Sequence, residues 1–408
     1  LSLAFAMTKG YAAVEVERTS ARARDLCQQM EETPEVCSAV FRLYQFSFVR
    51  GELHAARELA EQLLRIAQHA QAPALLSAAH TALAFSLFSL GDFSAAQAHA
   101  EQSLALCDPQ QHNALGVVVS GENPGVVGLV VKALALQVRG YPDQAQASMQ
   151  KSVAAAQMLA LPFGQSGSLI GAALLHQVRR AVQAVHESAE AVIALATKEG
   201  FPYWVARATT LRGWALAAQG QGEAGIAQIR DGLATLETMG VGIWRSRCLG
   251  LLAEAYGNAG QGDKGLTVLA EALEIPGRTG EREYEAELDR LKGELTLQSK
   301  ACPERSRRVQ SPKSKVQSPQ SAIRNPQLEA EAEGCFQQAI AIARQQEAKL
   351  FELRATVSLA RLWQQQGKQK KAHQMLAALY GWFTEGFETV DLQEAKVLLT
   401  ELLPNHER

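Results

Sequence analysis

Between Leu350 and Tyr380 the apolar positions recur at helical spacing twice, on either side of one glycine. Leu359, Ala360 and Trp363 share one face of the first segment, and Ala372, Leu376 and Leu379 share one face of the second. Gly367 sits between them. The pattern predicts two antiparallel helices joined by a short turn, with alanine where the helices approach most closely and larger residues filling the groove on either side.

The signature repeats upstream. Gly10, Gly51, Gly91, Gly140, Arg179, Gly220, Gly260 and Gly367 each follow a helical run, at steps of 39 to 41 residues except for one of 49 and one of 107. Small residues follow most turns at fixed offsets, as Ala56 and Ala60, Ala96 and Ala100, Ala145 and Ser152, and Gly225 and Gly232 do. Self-similarity at a fixed period is the mark of a solenoid, in which each unit buries its apolar face on its neighbours. The expected fold is all-α: a right-handed superhelical solenoid of about eight helical hairpins, about 40 residues each.

Both irregular steps have a visible cause. Asp108 to Gly125 is rich in turn residues and reads as a long loop between hairpins. The longer gap contains a further repeat at Leu328 to Arg344, with Ala332, Phe336 and Ala339 in register, and leaves 27 extra residues at Lys300 to Pro326. That stretch holds four prolines, seven Lys or Arg against one Glu, and a tandem VQSP, with no helical period. The chain therefore divides into a repeat array over 1–299, a basic Pro/Ser-rich insertion without ordered structure over 300–326, and the last hairpins with a capping helix over 327–408. Thr389 to Leu403 forms that last helix, with Asp391 and Glu394 as its capping pair and Pro404 beyond its end. At the other end, Leu1 to Lys9 reads as the tail of a helix that begins earlier, so the first hairpins are expected to dock on an upstream domain.

Composition narrows the class. Aromatic residues make up 6% while alanine is abundant, which suits closely packed helices and disfavours an all-β fold. A net charge of −2 gives no reason to expect nucleic acid or an anionic membrane as partner. Val126 to Val138 is the most apolar run, but Lys132 interrupts it and it is too short to span a bilayer. Six cysteines (Cys27, Cys37, Cys107, Cys248, Cys302 and Cys335) form no C-x-x-C pair and read as reduced thiols of a cytoplasmic protein. Leu1 to Met7 lacks the basic lead of a signal peptide.

No motif points to chemistry. Gly220, Gly222 and Gly225 match the dinucleotide fingerprint, as do Gly260, Gly262 and Gly265, but a helix rather than a strand precedes each and the two copies lie on the repeat ladder. Asp263 displaces the lysine a phosphate loop would need. The nine histidines form neither an H-E-x-x-H pair nor a Ser-His-Asp grouping. The chain is read as a non-enzyme, with no catalytic residue, metal site or cofactor.

What remains is the inner surface of the solenoid, lined by the first helix of each hairpin. Aligning the units puts Phe41, Gln45 and Phe48 there, then Phe85 and Phe88, then His176 and Gln177. Arg207 and Trp214 follow, then Arg247, Glu254 and Asn258, Arg290 and Glu294, and Arg354 and Arg361. Aromatic anchors at one end and arginines at the other would suit a protein or peptide partner carrying apolar residues and carboxylates.

The turns and small-residue spacing resemble tetratricopeptide repeats. The runs Tyr141 to Ala145, Leu211 to Leu216, Leu251 to Gly257, Tyr284 to Leu288, Ala360 to Gly367 and Tyr380 to Phe387 are similar to the C-terminal repeat region of large bacterial signalling regulators. In those regulators a nucleotide cyclase-like or other signalling domain precedes an AAA-type ATPase domain. The resemblance implies a protein-interaction or sensor module coupled to upstream domains of the same polypeptide. The family's ATP-binding and cyclase residues would lie before Leu1, and none is carried onto this chain. Two alternatives stay open: a regulatory fragment of an ATP-binding adenylate or guanylate cyclase-type enzyme, and a stand-alone scaffold.

Overall fold

The computed structural model of the chain describes residues 36–107, 122–299 and 325–403, with single positions between 15 and 25. Leu1 to Lys9, the loop from Asp108 as far as residue 121, the insertion from Lys300 to residue 324, and Pro404 lie outside the described residues. So do Cys27, Cys302, His112 and His406. The described residues form eight helical hairpins and a closing helix. The hairpins are α1 (Cys37–Val49) with α2 (Leu53–His69), α3 (Pro73–Ser89) with α4 (Phe93–Leu106), α5 (Pro124–Arg139) with α6 (Pro142–Leu159), and α7 (Pro162–Val178) with α8 (Val182–Glu199). They continue as α9 (Pro202–Ala218) with α10 (Gly222–Thr238), α11 (Arg245–Asn258) with α12 (Gly262–Thr279), α13 (Glu285–Ser299) with α14 (Pro326–Gln345), and α15 (Lys349–Gln365) with α16 (Gln369–Tyr380). The last helix is α17 (Val390–Leu402).

Within each hairpin the two helices have different surroundings. In the second helix only one stripe is buried: Val185, Ala189, Val192 and Ala196 in α8, four of its 18 residues. In the first helix burial runs nearly all round, 13 of 17 residues in α15. First helices therefore form an inner layer and second helices an outer jacket, as a stack of amphipathic hairpins requires.

The turns explain the period. Gly140, Ala160, Arg180, Gly200, Gly220, Gly240, Gly260 and Gly280 all have left-handed backbone conformations and fall 20 residues apart. Each ends one helix, so a unit of about 40 residues contains two such turns, one within the hairpin and one leading to the next. The expectation for Arg179 is corrected by one position: Arg179 is right-handed (φ −80°) and Arg180 carries the positive φ of 58°. Two further boundaries shift. Asn123 caps α5 through its side chain, and Asn325 caps α14, so Pro124 and Pro326 open helices instead of ending loops. Asp391 is no cap either, since Thr389 occupies that position and Asp391 is buried in the first turn of α17.

The superhelix closes on itself. Val49 O at the first turn accepts hydrogen bonds from Gly242 N (2.8 Å) and Ile243 N (3.1 Å). Ser89 O accepts from Arg282 N at 2.9 Å. Past α5, Arg139 pairs with Glu347 at 3.4 Å, and Glu385 accepts from the backbone N–H groups of Asp143 (3.0 Å) and Gln144 (3.2 Å). At the fourth turn Arg354 donates to Val178 O. The four early turns thus rest on the starts of later inner helices and on the segment after α16. This leaves separate recessed chambers, each open at a rim, where the sequence predicts one continuous groove. Gly242 permits the first contact, because a Cβ there would lie 2.2 Å from Arg50 O. Gly242→Ala is expected to cost about 1–3 kcal/mol and to expand the molecule, read by urea unfolding and small-angle scattering. An unchanged radius of gyration would show that this contact does not hold the ring shut.

Candidate functional site

Two chambers lie along the inner layer. The polar one encloses about 240 Å³. Repeat register builds it: Trp214, Glu254 and Glu294 occupy one position of successive inner helices, 40 residues apart, and Arg361 occupies it after the insertion. Glu287 and Arg354 share a second position, one helical turn pair earlier. Gln177, Arg180, Asn258, Arg290, Ser358, Asp391 and Glu394 complete the polar lining.

Most of the charges in this chamber are paired. Arg354 grips Asp391 with two bonds of 2.9 Å and reaches Glu287 at 3.1 Å. Arg290 bonds Glu287 at 3.0 Å and Glu294 at 2.6 Å, and Ser358 donates to Glu294 at 2.9 Å. Trp214 Nε1 donates to Glu254 at 2.9 Å. Burial alone would raise the Asp391 and Glu287 carboxyls, but Arg354 acting on the first, and Arg290 with Arg354 on the second, hold both below the usual range. Glu254 has only the indole and a more distant Arg290 to offset burial, and its carboxyl is raised. At the rim, Arg180 contacts Glu394 at 3.0 Å and Asp391 at 3.5 Å, and the half-exposed Arg361 reaches Glu394 at 3.5 Å.

The apolar chamber, about 110 Å³, lies at the other end. Phe41, Tyr44, Gln45 and Phe48 of α1 and Phe85 of α3 wall one side, and Phe163, Tyr203, Trp204 and Trp244 the other. Glu122, just before α5, supplies its carboxylate.

Most predicted lining residues are therefore gathered, but into two separate places. Phe41, Gln45 and Phe85 meet in the apolar chamber; Gln177, Trp214, Glu254, Asn258, Arg290, Arg354 and Arg361 meet in the polar one. Four others go elsewhere. Phe88 is core, packed edge-on against Phe93 at 5.2 Å. His176 lines neither chamber and lies close to Arg179, where burial and that guanidinium lower its pKa. Arg207 sits over the Trp244 ring at 3.6 Å and donates to Tyr203 Oη, while Arg247 is buried over Tyr284 and bonded to Glu283. These two arginines form the partition between the chambers. The inner arginines Arg290 and Arg354 are not free donors waiting for a ligand carboxylate, as the sequence suggested. Glu287 and Glu294 of its own helix engage Arg290, and Glu287 and Asp391 of neighbouring helices engage Arg354. The sequence reading also missed Trp204 and Trp244. Their signal was present, since Trp204, Trp244 and Tyr284 recur every 40 residues at the start of inner helices, and Phe351 continues the column past the insertion.

Glu281 supports the partition from behind. It accepts from the backbone N–H groups of Trp244 (2.6 Å) and Ser246 (2.9 Å), holding the start of α11. Burial pushes its carboxyl up to about 7, with the Ser246 hydroxyl opposing and Glu283 assisting. An unfolded glutamate titrates near 4.3, so this stabilisation is full below about pH 4 and is lost as pH rises through 7. Glu281→Gln should therefore gain on the wild type by about 2 kcal/mol between pH 5 and pH 8, read as urea midpoints. Parallel profiles would remove Glu281 as the titrating group.

Residues 77–102, spanning most of α3 and α4, match a tetratricopeptide repeat family model. The fold is similar to a Rap protein crystallised in complex with competence and sporulation factor, at 15% identity over 81% of either chain with a TM-score of 0.52. It is also similar to the APC/C hetero-tetramer Cut9–Hcn1, at 12% identity over 94% of this chain and 59% of that one, TM-score 0.51. A signal transduction ATPase with numerous domains and a tetratricopeptide repeat sensor, from Pyrococcus horikoshii, aligns at 13% identity over 92% of this chain and 54% of its own, TM-score 0.42. No curated protein sequence matches the chain. The repeat match and the architecture define the class of fold: this is a tetratricopeptide-type helical solenoid.

Proposed function

We propose that the chain is the sensor arm of a larger signalling protein and takes an acidic segment of a partner polypeptide at the rim of the polar chamber. The observation that carries this reading is the double use of Arg180, Arg361 and Glu394. They line the chamber, and the bonds from Arg180 to Glu394 and Asp391 tie the fourth hairpin turn to α17. A ligand carboxylate that replaced Glu394 at Arg180 and Arg361 would release that tie. Occupancy would then bias closed against open packing, provided the ligand prefers one of them. The upstream domains, cyclase-like or AAA-type, would read the change, and this chain would contribute no catalysis of its own. A Rap protein of similar architecture, crystallised in complex with competence and sporulation factor, offers a precedent for a bound partner. Residues 1–299 and 327–408 act here as one array interrupted at 300–326, because α13 and α14 flank the insertion yet pack together, Gly293 lying against the Phe336 ring. Among the described residues no helix is long and apolar enough to cross a membrane.

A displayed peptide library selected on the whole chain tests the proposal. The expected binders are rich in Asp and Glu, and Arg361→Ala should weaken them at least about tenfold while Phe85→Ala leaves them unchanged. Binders without acidic residues, or an unaltered affinity for Arg361→Ala, would remove the reading.

A further inference from the structure

We propose that His80 and His99 form a clip for one late transition-metal dication, Cu2+ or Ni2+, at the seam between α3 and α4. Their Nδ1 atoms stand 2.9 Å apart, with ring centroids 5.2 Å apart. Metal–imidazole bonds of about 2.0–2.1 Å set the two nitrogens about 2.9 Å apart at a right angle, and about 3.3 Å apart at the tetrahedral angle. The observed spacing is the right-angle edge, which square-planar and octahedral ions use. It favours Cu2+ or Ni2+ over tetrahedral Zn2+, and imidazole suits both ions. The two residues lie 19 positions apart on different helices, so no motif in the sequence announces the pair. Neither lines a chamber, and the clip is independent of the acidic partner proposed above.

Protonation state and rigidity both suit the clip. A metal needs neutral rings, because an imidazolium has no free lone pair on nitrogen. Burial, and after it His99, lowers the His80 imidazole to about 4; burial also lowers His99, with Asp92 opposing. Both rings are therefore neutral at physiological pH. In the metal-free pair one Nδ1–H donates to the other Nδ1. Coordination moves that proton to Nε2 of the same ring, so both Nδ1 lone pairs turn to the ion and no net proton is released. Both residues are partly exposed, which gives the ion access and lets water complete its coordination. Among the described residues no third His, Cys, Asp or Glu joins them. The frame is fixed one rung along the same two helices. There Thr81 Oγ1 and Ser103 Oγ are 2.7 Å apart, and Ser77 Oγ donates to Ser103 O at 3.1 Å. The ion would find its two ligands already placed, with no backbone left to order.

Bound metal ties α3 to α4 and stabilises the folded state by mass action. The full chain, free of any histidine tag, is titrated with Ni2+ at neutral pH and followed by calorimetry and thermal unfolding. Mg2+, which prefers oxygen ligands, is the control. One equivalent of Ni2+ is expected to bind saturably and to raise the unfolding midpoint, and Mg2+ to do neither. His80→Gln and His99→Gln should each weaken Ni2+ binding at least about tenfold, while His176→Gln leaves it unchanged. A poorly folded variant does not end the test, because the wild type loaded with one equivalent of Cu2+ supplies a second readout. Its electron paramagnetic resonance should show coupling to two imidazole nitrogens. Absence of saturable Ni2+ binding, or binding that survives both glutamine substitutions, would overturn the proposal. Equal stabilisation by Mg2+, or a Cu2+ signal with fewer than two imidazoles, would overturn it as well.

Discussion

Arg354→Ala is expected to destabilise the protein by about 3–5 kcal/mol, the largest effect of any single polar substitution in the inner layer. Arg354 is 9% exposed and holds three groups at once: Asp391 of α17, Glu287 of α13 and the carbonyl of Val178. Its removal leaves each of two buried carboxylates one cation fewer: Asp391 keeps Arg180 at 3.5 Å, and Glu287 keeps Arg290 at 3.0 Å. The pH dependence separates charge from packing. In the wild type both carboxyls lie below their unfolded values, so the stability they contribute is present above about pH 4 and is lost as pH falls through the depressed folded values. In the variant, protonation relieves the uncompensated charges, so the deficit should shrink between pH 7.5 and pH 4.5. An equal deficit at both values, in urea unfolding, would mean that Arg354 acts through packing alone. Combining it with Asp391→Ala should restore part of the loss, giving a coupling of about 1–3 kcal/mol in the double-mutant cycle. Additive losses would show that the pair does not act as a unit.

The second large effect concerns backbone approach. At the crossing of α9 and α10 a Cβ on Gly225 would stand 2.5 Å from Gly213 O and 2.6 Å from Ala217 N. Both neighbours are main chain, so the helices must separate before any side chain fits. Gly225→Ala is expected to cost about 2–3 kcal/mol, and Gly225→Val more. Gly220, five residues before Gly225 in the turn between the two helices, is the control. Its Cβ would meet nothing within 4 Å, and only its φ of 87° opposes a side chain, so Gly220→Ala should cost about 1–2 kcal/mol. Thermal unfolding of the two variants decides between them. A Gly220→Ala loss as large as that of Gly225→Ala would show that turn conformation, not helix contact, governs this hairpin. The same residues imitate a dinucleotide fingerprint, and their geometry explains the imitation: one glycine for a left-handed turn, one to open a helix, and one for close contact.

The sequence by itself determined the period, the class of fold and the inner helices. Each is a local property: apolar spacing selects a helix face, and a left-handed turn residue ends each helix at a fixed interval. Such signals survive in a single chain because every hairpin repeats them. The register also carried much of the polar chamber, since Trp214, Glu254, Glu294 and Arg361 share one repeat position. Tertiary structure decided what that inner face became. The closing contacts, Val49 to Gly242 and Val178 to Arg354, join residues nearly two hundred positions apart, and no local pattern encodes the pitch that brings them together. Packing of α13, α15 and α17 placed the carboxylates of Glu287 and Asp391 against Arg354, turning exposed donors into a buried network, and the middle inner helices set Arg207 and Arg247 as a wall between two chambers. Helix faces follow from neighbours in the chain, whereas charge pairing and enclosure follow from the summed small rotations of all the repeats.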